Sequence, residues 1–350
     1  GQLGGDLEAG RRHARAVADK LREVLARPCE LDGSSYVSTA SIGITLFPKD
    51  REGVDDLLRE ADIAMYRAKE AGRNRVAFFA AAMQAEVEER LALEQALQRA
   101  IVAGGIDVHV QPQFDADGQE VGGELLLRWL DPARGPVSPA RFIPLAEETG
   151  LILPLGDIVL RRACQALARL HAAGRELHLS VNVSPRQFRR DDFVERVQEL
   201  LHETGAPAGS LILEVTEGLL IENWESTLAR MQRLVALGVR FSIDDFGTGY
   251  SSLGYLKKLP LYELKIDRGF VADTPDDPSD TAIVQAILSV ARHLGLHVVA
   301  EGVETQAQAD FLRANHCGGL QGFLLARPQP LADWLDRQLG VPEGLPLAAD

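Results

Sequence analysis

The sequence lacks the features typical of disulfide-stabilised, membrane-spanning and DNA-binding proteins. Its three cysteines form no CxxC pair, which argues against a disulfide framework or a zinc site and favours a reducing, cytoplasmic location. Charged residues interrupt the apolar runs well before the roughly 18 residues that a spanning helix needs, so we expect no membrane insertion by this segment. The net charge of −14 would repel duplex nucleic acid, so a phosphate ligand must be received by metal ions or a few local cations.

What the sequence does contain is a series of at least seven apolar runs that each end in a polar side chain suited to metal or phosphate chemistry. Most segments between these runs hold one amphipathic stretch long enough for a crossover helix, as in a chain of β-α units. In a (β/α) barrel the carboxyl ends of parallel strands meet at one mouth, so we expect these side chains to converge there. They are Glu124, Asn182, Glu214, Asp244 with Asp245, Lys265, Glu301 and Gln321.

Most of these polar side chains are carboxylates, and each close pair would repel by a few kcal/mol at an effective dielectric constant of about 20. Such a cluster needs cations. Oxygen ligands without histidine or cysteine favour hard divalent ions such as Mg²⁺ or Mn²⁺, with Asn182 supplying a neutral amide oxygen. Taken singly, an acid at a strand end is usually a helix cap or a solvated charge, and a lone lysine is nearly always a surface residue. The ordered set is what favours a metal site that accepts a phosphodiester.

The first 79 residues follow a different pattern. Apolar periodicity predicts helices over 7–25 and 54–71, while the β-rich stretches 36–47 and 75–79 predict strands. We expect this thin α+β unit to be the back half of a larger domain. The charged, helix-like stretch 80–104 predicts a linker helix, which is either a plain spacer or a rigid lever between domains.

Motifs in this first unit resemble a known family. SIGITLFP at 41–48 and ADIAMYRAKEAGRNRVAFF at 61–79 are similar to the C-terminal half of a GGDEF domain, the diguanylate cyclase module. Gly4, Gly5 and Asp6 begin like the family's signature, but the residues that follow depart from it. Because the nucleotide- and metal-binding front half is absent, we do not expect cyclase activity.

The rest of the chain closely resembles the EAL domain, a cyclic di-GMP phosphodiesterase module. The resemblance rests on motifs in the family's order: IDVHVQPQF, VGGELLLRW, SVNVSPRQF, LILEVTE, FSIDDFGTGYSSL, LKIDRGF, VVAEGVET and LQGFLLARP. It implies a (β/α)8 TIM-like barrel whose first strand is antiparallel. The expected organisation is a truncated GGDEF-like domain at 1–79, the linker helix at 80–104, the EAL barrel at 105–340 and a tail at 341–350.

The resemblance also implies an activity and a role for each site residue. The activity is metal-dependent hydrolysis of cyclic di-GMP to linear pGpG by metal-activated water, with two Mg²⁺ or Mn²⁺ ions. The implied metal ligands are Glu124, Asn182, Glu214, Asp244, Asp245 and Glu301. The implied catalytic residues are Lys265, Glu124, Glu301 and Gln321, and the implied substrate-binding residues are Gln111, Arg128 and Asn182. Glu217 would anchor the loop over 246–253 rather than bind metal.

Two departures from the family pattern bear on these roles. The family's Glu-Ala-Leu is Glu124-Leu125-Leu126 here. We expect Leu125 to point away from the mouth, so its larger side chain should strain the packing and leave the proposed metal ligand Glu124 in place. His109 and Gln113 replace residues that are more often aromatic and aliphatic, which affects affinity and base contacts more than hydrolysis. Seven histidines show no ligand spacing, which predicts structural or surface roles: His109, His171, His178, His202, His293, His297 and His316.

Two other functions stay open at this point. The barrel could be a catalytically weak cyclic di-GMP receptor that signals through the linker helix, or a hydrolase for some other phosphodiester. The resemblance further implies a homodimer through the EAL domain, with the loop after Asp245 close to the interface.

Overall fold

The computed structural model describes residues 7–31, 34–47, 53–221, 224–247 and 253–340. Outside these ranges lie the signature-like Gly4-Gly5-Asp6, most of the predicted loop over 246–253, and the predicted tail. The chain forms two compact units that divide between Gln95 and Ala96, and each is described separately. None of the described helices is long and apolar enough to cross a membrane.

The N-terminal unit is a small α+β arrangement. Strands β3 and β4 pair in parallel, and helix α2 buries Ala64 and Ala68, one turn apart. The helices predicted over 7–25, 54–71 and 80–104 are confirmed to within one residue. The elements are α1 (Leu7–Leu25), β1 (Cys29–Leu31), β2 (Ser34–Tyr36), β3 (Ile42–Ile44), α2 (Val54–Glu70), β4 (Val76–Phe78) and α3 (Ala81–Ala103), which crosses the division between the units.

The single strand predicted over 36–47 is wrong. Tyr36 ends β2, which forms an antiparallel hairpin with β1, and only Ile42–Ile44 forms the strand β3 that pairs with β4. Between them, residues 37–41 pair with no strand in the described part of the chain, and Val37 is exposed. The alternating pattern therefore belongs to two short strands in different sheets, because alternation alone does not say which partner a strand has.

The second unit, which we call the barrel unit, follows the predicted β-α pattern. Its elements are β5 (Ile106–Asp115), β6 (Glu120–Asp131), β7 (Gly135–Val137), α4 (Pro139–Thr149), α5 (Ile152–Ala172), β8 (His178–Asn182), α6 (Pro185–Phe188), α7 (Phe193–Thr204), a 3₁₀ turn (Ala208–Ser210), β9 (Leu211–Thr216), α8 (Glu217–Ile221), α9 (Trp224–Ala236), β10 (Arg240–Phe246), α10 (Leu253–Leu256), β11 (Glu263–Ile266), α11 (Arg268–Val271), α12 (Pro278–Leu294), β12 (His297–Ala300), α13 (Gln306–Ala314), β13 (Gly319–Leu320), β14 (Gln329–Pro330) and α14 (Leu331–Leu339).

Eight of these strands close into a barrel in the order β5, β6, β8, β9, β10, β11, β12 and β13. The first strand, β5, is antiparallel to both of its barrel neighbours, β6 and β13. The other neighbouring pairs are parallel, so their carboxyl ends meet at the same mouth. The (β/α)8 TIM-like fold and its antiparallel first strand are therefore confirmed.

Strand alternation separates an apolar outer face from a polar interior. On β9, Leu211, Leu213 and Val215 belong to the continuous core that also contains residues of the surrounding helices. Burying each such side chain stabilises the fold by roughly 1.5–3 kcal/mol, which offsets the cost of the polar residues buried with it. The buried polar side chains of the barrel strands and their ends include Gln111, Gln113, Glu124, Ser180, Glu214, Ser242, Glu263, Lys265 and Gln321.

Candidate active site

The site is centred on Lys265, the third residue of β11, whose side chain is fully buried. Its Nζ atom lies 2.8 Å from Glu214 Oε2 and 3.1 Å from Glu124 Oε2. The same nitrogen lies 2.5 Å from Glu301 Oε1 and 3.5 Å from Asp244 Oδ1. Four carboxylates that are far apart in sequence thus surround one ammonium group at the carboxyl ends of the strands.

The charges around Lys265 do not balance. Four ionised carboxylates against one ammonium would leave an excess of three negative charges. Burial would lower the pKa of Lys265, but the surrounding carboxylates, Glu124 first, raise it well above its usual range. Burial raises the pKa of Glu214 well above its usual range, with repulsion from Glu124 adding to it, and burial raises the pKa of Glu301 to about 8. The acids therefore resist ionising together unless more cations join them.

Glu124 differs from the other acids because neighbouring groups hold its carboxylate in the ionised form. Burial acts to raise its pKa, but the Lys265 charge and hydrogen bonds, that from Gln321 first, lower it overall. Asn182 Nδ2 donates to Glu124 Oε1 over 2.6 Å, and Gln321 Nε2 donates to Glu124 Oε2 over 2.8 Å. Gln321 Nε2 also donates to Gln111 Oε1 over 3.3 Å. Because the Asn182 amide nitrogen faces Glu124, its carbonyl oxygen is left for another partner.

Asp244 and Asp245 lie where the pairing register of β10 shifts, between Ile243 and Phe246. Asp245 has a φ of 53°, in the left-handed region, and its amide donates to Asp244 Oδ1 over 3.0 Å. Burial raises the pKa of Asp245 to about 6, with the charges of Asp244 and Asp267 adding to the effect. The two acids therefore reach one region by a bulge at Asp245 itself, before the Phe246-Gly247 break that the sequence suggested.

Glu217, at the start of α8, lies where the sequence placed a loop anchor. The amide of Gly247 donates to Glu217 Oε1 over 3.0 Å. This hydrogen bond links the residue after β10 to the start of α8. Residues 248–252 lie outside the described part of the chain, so the contact covers only the start of the predicted loop.

A cavity of about 360 Å³ opens beside the acids. Arg128 lines it, and burial lowers the pKa of that guanidinium, although Glu124 opposes the effect. The Arg128 Nη1 atom donates to the Leu127 carbonyl over 2.9 Å. The cavity is apolar along one wall and polar where it meets the acids, as small-molecule sites commonly are. Other lining residues include Leu125, Leu126, Pro139, Ile143, Ile152, Val159, Asn182, Glu214, Thr216, Asp244 and Asp245.

The ends of β12 and β13 approach closely enough to set Gln321 beside the acids. A Cβ atom on Gly322 would lie 2.1 Å from the Val303 carbonyl oxygen and 2.3 Å from its nitrogen, so only glycine fits. The Val303 amide donates to the Gln321 carbonyl over 3.1 Å. The glycine that follows Gln321 in LQGFLLARP is thus a packing requirement of this corner.

The oxygen atoms of the site suit a hard divalent cation. In this structure, however, the acids are directed at Lys265 and do not form a preformed metal site. Within the described ranges, no group of three or more His, Cys, Asp or Glu side chains has the spacing to hold a metal ion. However, Glu214 Oε1 is buried and accepts no hydrogen bond from the described residues. An unsatisfied buried carboxylate oxygen within an all-oxygen donor set and an excess of negative charge together fit Mg²⁺ or Mn²⁺.

Three residues near the site were not singled out as functional by the sequence. Asp267 neighbours Asp245 and lies two residues after Lys265, so strand alternation could have indicated it. Gln113 donates through Nε2 to Gln321 Oε1 over 2.8 Å, and His178 Nε2 lies 2.9 Å from Gln113 Oε1. Gln113 stood out in the sequence only as a departure from the family pattern, and nothing marked His178, which stands at the start of its strand.

Comparison with known proteins places this geometry in context. The model of the EAL domain matches residues 94–328, and that of the diguanylate cyclase, GGDEF domain, matches residues 6–75. The chain is 44% identical over 321 residues to the cyclic di-GMP phosphodiesterase NbdA of Pseudomonas aeruginosa, covering 91% of this chain and 41% of that protein. It is 43% identical over 319 residues to the bifunctional diguanylate cyclase/cyclic di-GMP phosphodiesterase MucR of the same species, covering 91% and 47%. It thus spans less than half of the length of these relatives.

Solved structures show the same similarity. The PaMucR phosphodiesterase in its c-di-GMP complex matches with a TM-score of 0.66 and 45% identity, over 70% of this chain and 99% of that one. The EAL enzyme Bd1971, in its cAMP- and cyclic-di-GMP-bound form, matches with a TM-score of 0.69 and 28% identity, over 83% of this chain and 77% of that one.

Proposed function

Because the chain belongs to the EAL domain family and carries a partial GGDEF domain at its N-terminal side, we propose that its barrel is a phosphodiesterase that hydrolyses cyclic di-GMP to linear pGpG. The observation that carries the proposal is the buried Lys265 ammonium surrounded by four carboxylates beside an open cavity. The proteins named as cyclic di-GMP phosphodiesterases that it resembles support the choice of substrate.

Two divalent cations, Mg²⁺ or Mn²⁺, would be held by the oxygen atoms of the cluster. The proposed ligands are Glu124, Asn182, Glu214, Asp244, Asp245 and Glu301, and Asp267 offers a further oxygen beside Asp245. When bound, such ions would neutralise the acids, accept phosphate oxygens and make water a better nucleophile at neutral pH. The unsatisfied Glu214 Oε1 atom and the unbalanced charge support this assignment.

The chain's own residues would position the substrate and move the proton. Lys265 is an ammonium in this environment, so it would donate a hydrogen bond to the attacking water rather than act as the base. Glu301 Oε1 lies 2.5 Å from Lys265 Nζ, so its carboxylate would stand within reach of the water that Lys265 contacts and could take up its proton. Gln321 would orient Glu124 and the water, while Gln111 and Arg128 would contact phosphate or base.

The proposal is tested by incubating purified protein with cyclic di-GMP and Mg²⁺ or Mn²⁺, with a parallel sample in EDTA, and separating the products by chromatography. We expect pGpG only with metal, and Glu124→Ala should abolish turnover while sparing much of the ligand affinity. Intact cyclic di-GMP that nevertheless binds well would contradict the enzyme and favour the receptor alternative. Competition with linear dinucleotides and simple phosphate esters would expose a different phosphodiester substrate.

Two further proposals concern the protein's oligomeric state and its location in the cell. We propose a homodimer through the EAL domain, on the family resemblance, and light scattering that shows only monomer across active concentrations would count against it. A cytoplasmic location, expected from the cysteine pattern, also stays a prediction, which fractionation of cells that produce the protein would check.

A further inference from the structure

One row of the barrel interior lies directly beneath the acids and combines a glutamine, a glycine and a histidine. Gln113 on β5 pairs with Gly122 on β6, which in turn pairs with His178 on β8. A Cβ atom on Gly122 would lie 2.2 Å from the His178 carbonyl oxygen and 2.7 Å from its ring. Because Gly122 has no side chain, the amide of Gln113 and the ring of His178 meet across it.

This row continues upward to Glu124 through an unbroken chain of hydrogen bonds. His178 Nε2 is 2.9 Å from Gln113 Oε1, and Gln113 Nε2 is 2.8 Å from Gln321 Oε1. Gln321 Nε2 is then 2.8 Å from Glu124 Oε2. Gln113 and Gln321 are both buried, so water has little access to replace these contacts.

The Glu124 carboxylate, at one end of this series of hydrogen bonds, fixes which group donates and which accepts at each step. An ionised Glu124 only accepts, so the NH₂ group of Gln321 must face it and the Gln321 carbonyl must face Gln113. Gln113 then presents its own NH₂ to Gln321 and its carbonyl to His178. The imidazole must therefore carry its proton on Nε2. Burial lowers the pKa of His178, which favours the neutral ring in that tautomer near pH 7.

We propose that Gln113 and His178 are positioning residues that fix the Gln321 amide and, through it, the orientation of the Glu124 carboxylate. This inference rests on the proposed function only in taking Glu124 as a metal ligand. Neither residue contacts a reacting atom. Their effect is to keep Gln321 from turning its carbonyl towards Glu124, which would set two oxygens against each other and turn the carboxylate away from a cation.

Calorimetric titration of the whole chain with Mn²⁺, without substrate, tests the proposal independently of turnover. Gln113→Leu and His178→Phe remove one link each at similar volume, and each should weaken Mn²⁺ binding by about 10- to 100-fold, the usual cost of losing a group that orients a ligand. Because either substitution interrupts the same series of hydrogen bonds, the double variant should bind Mn²⁺ about as weakly as either single variant. His178→Gln, which keeps an N–H donor, should bind close to the wild type.

Ser180→Ala is the matched control. Ser180 lies two residues from His178 on the same strand face, is fully buried and makes no hydrogen bond among the described residues. Its removal should leave Mn²⁺ affinity unchanged. Wild-type affinity in both Gln113→Leu and His178→Phe would overturn the proposal, as would additive losses in the double variant.

The histidine tautomer gives a second readout that needs no metal, and its only variant is the conservative His178→Gln. In protein labelled with ¹⁵N in its imidazole rings, the His178 signals, identified by their loss in His178→Gln, should show a proton on Nε2. A proton on Nδ1 would refute the directional chain. Failure of the proposed function looks different, since the wild type would then leave cyclic di-GMP intact in the presence of metal while the tautomer stayed as described.

Discussion

Replacing Lys265 with methionine is the most severe test of the site's electrostatics. The substitution keeps the length of the side chain and removes its charge. Four carboxylates within 3.5 Å of the ammonium would then lose their shared partner in a buried position. Removing one partner of a buried ion pair typically destabilises a protein by about 3–5 kcal/mol, because a buried charge stays behind.

The structure sets the conditions under which this cost should appear. In EDTA at pH 7.5 the variant should lose about 3–5 kcal/mol of unfolding free energy, or roughly 6–20 °C in Tm for a unit of this size. The raised pKa values of Glu214 and Glu301 mean that the folded state binds protons more readily than the unfolded state. The loss should therefore shrink as the pH falls towards 5. Added Mn²⁺ should stabilise Lys265→Met more than the wild type, because the competing ammonium is gone.

Urea unfolding followed by tryptophan fluorescence measures this loss in the correct unit, since all three tryptophans, Trp129, Trp224 and Trp334, lie in the barrel unit. Lys258→Met is the matched control, because Lys258 is exposed and its removal should change stability by no more than about 0.5 kcal/mol. A Lys265→Met variant as stable as the wild type in EDTA, at both pH 7.5 and pH 5, would show that the ammonium does not hold ionised carboxylates together.

Three further changes probe separate features. The free energy of unfolding should fall as the pH rises from about 4.5 to 8, because the raised pKa of Glu301 lets the folded state hold a proton that the unfolded state has lost. Glu301→Gln should make this fall shallower. Urea midpoints across the pH range measure the slope, and a slope unchanged by the substitution would refute the prediction. Leu125→Ala, which restores the family's alanine, should cost about 2–5 kcal/mol of unfolding free energy, since Leu125 is 2% exposed in the core; a neutral result would mean that the leucine is not packed there. Gly322→Ala should reduce kcat strongly with a smaller change in KM, because the clash with Val303 displaces Gln321; unchanged kinetics would contradict that placement.

Much of the site could be predicted because parallel strands impose a rule that the sequence displays. Polar residues that end apolar runs meet at one mouth whenever the strands are parallel, and Glu124, Glu214 and Lys265 obey this rule. The outward position expected for Leu125 follows from the same alternation and agrees with its place in the core. The antiparallel first strand could be expected only from the family resemblance, because neither its length nor its pattern indicates direction.

The features that sequence could not supply depend on contacts between strands. The positive φ of Asp245 is a local backbone conformation within the bulge of β10. The sequence indicated an irregularity only near this position, at the following Phe246-Gly247 pair. The meeting of Gln113 and His178 depends on strand register and on the lack of a side chain at Gly122, and a lone histidine at the start of a strand gives no sign of either. The strand predicted over 36–47 failed for the same reason, because it assumed one partner for the whole stretch.

A crystal of the protein grown with Mn²⁺ and cyclic di-GMP, measured near the manganese absorption edge, would examine the mouth of the barrel directly. We predict anomalous peaks bounded by oxygen atoms of Glu124, Asn182, Glu214 and Asp244, with a phosphate of the dinucleotide against them. Dinucleotide bound in the cavity with no anomalous peak among these side chains would contradict a cation-dependent hydrolase at this site.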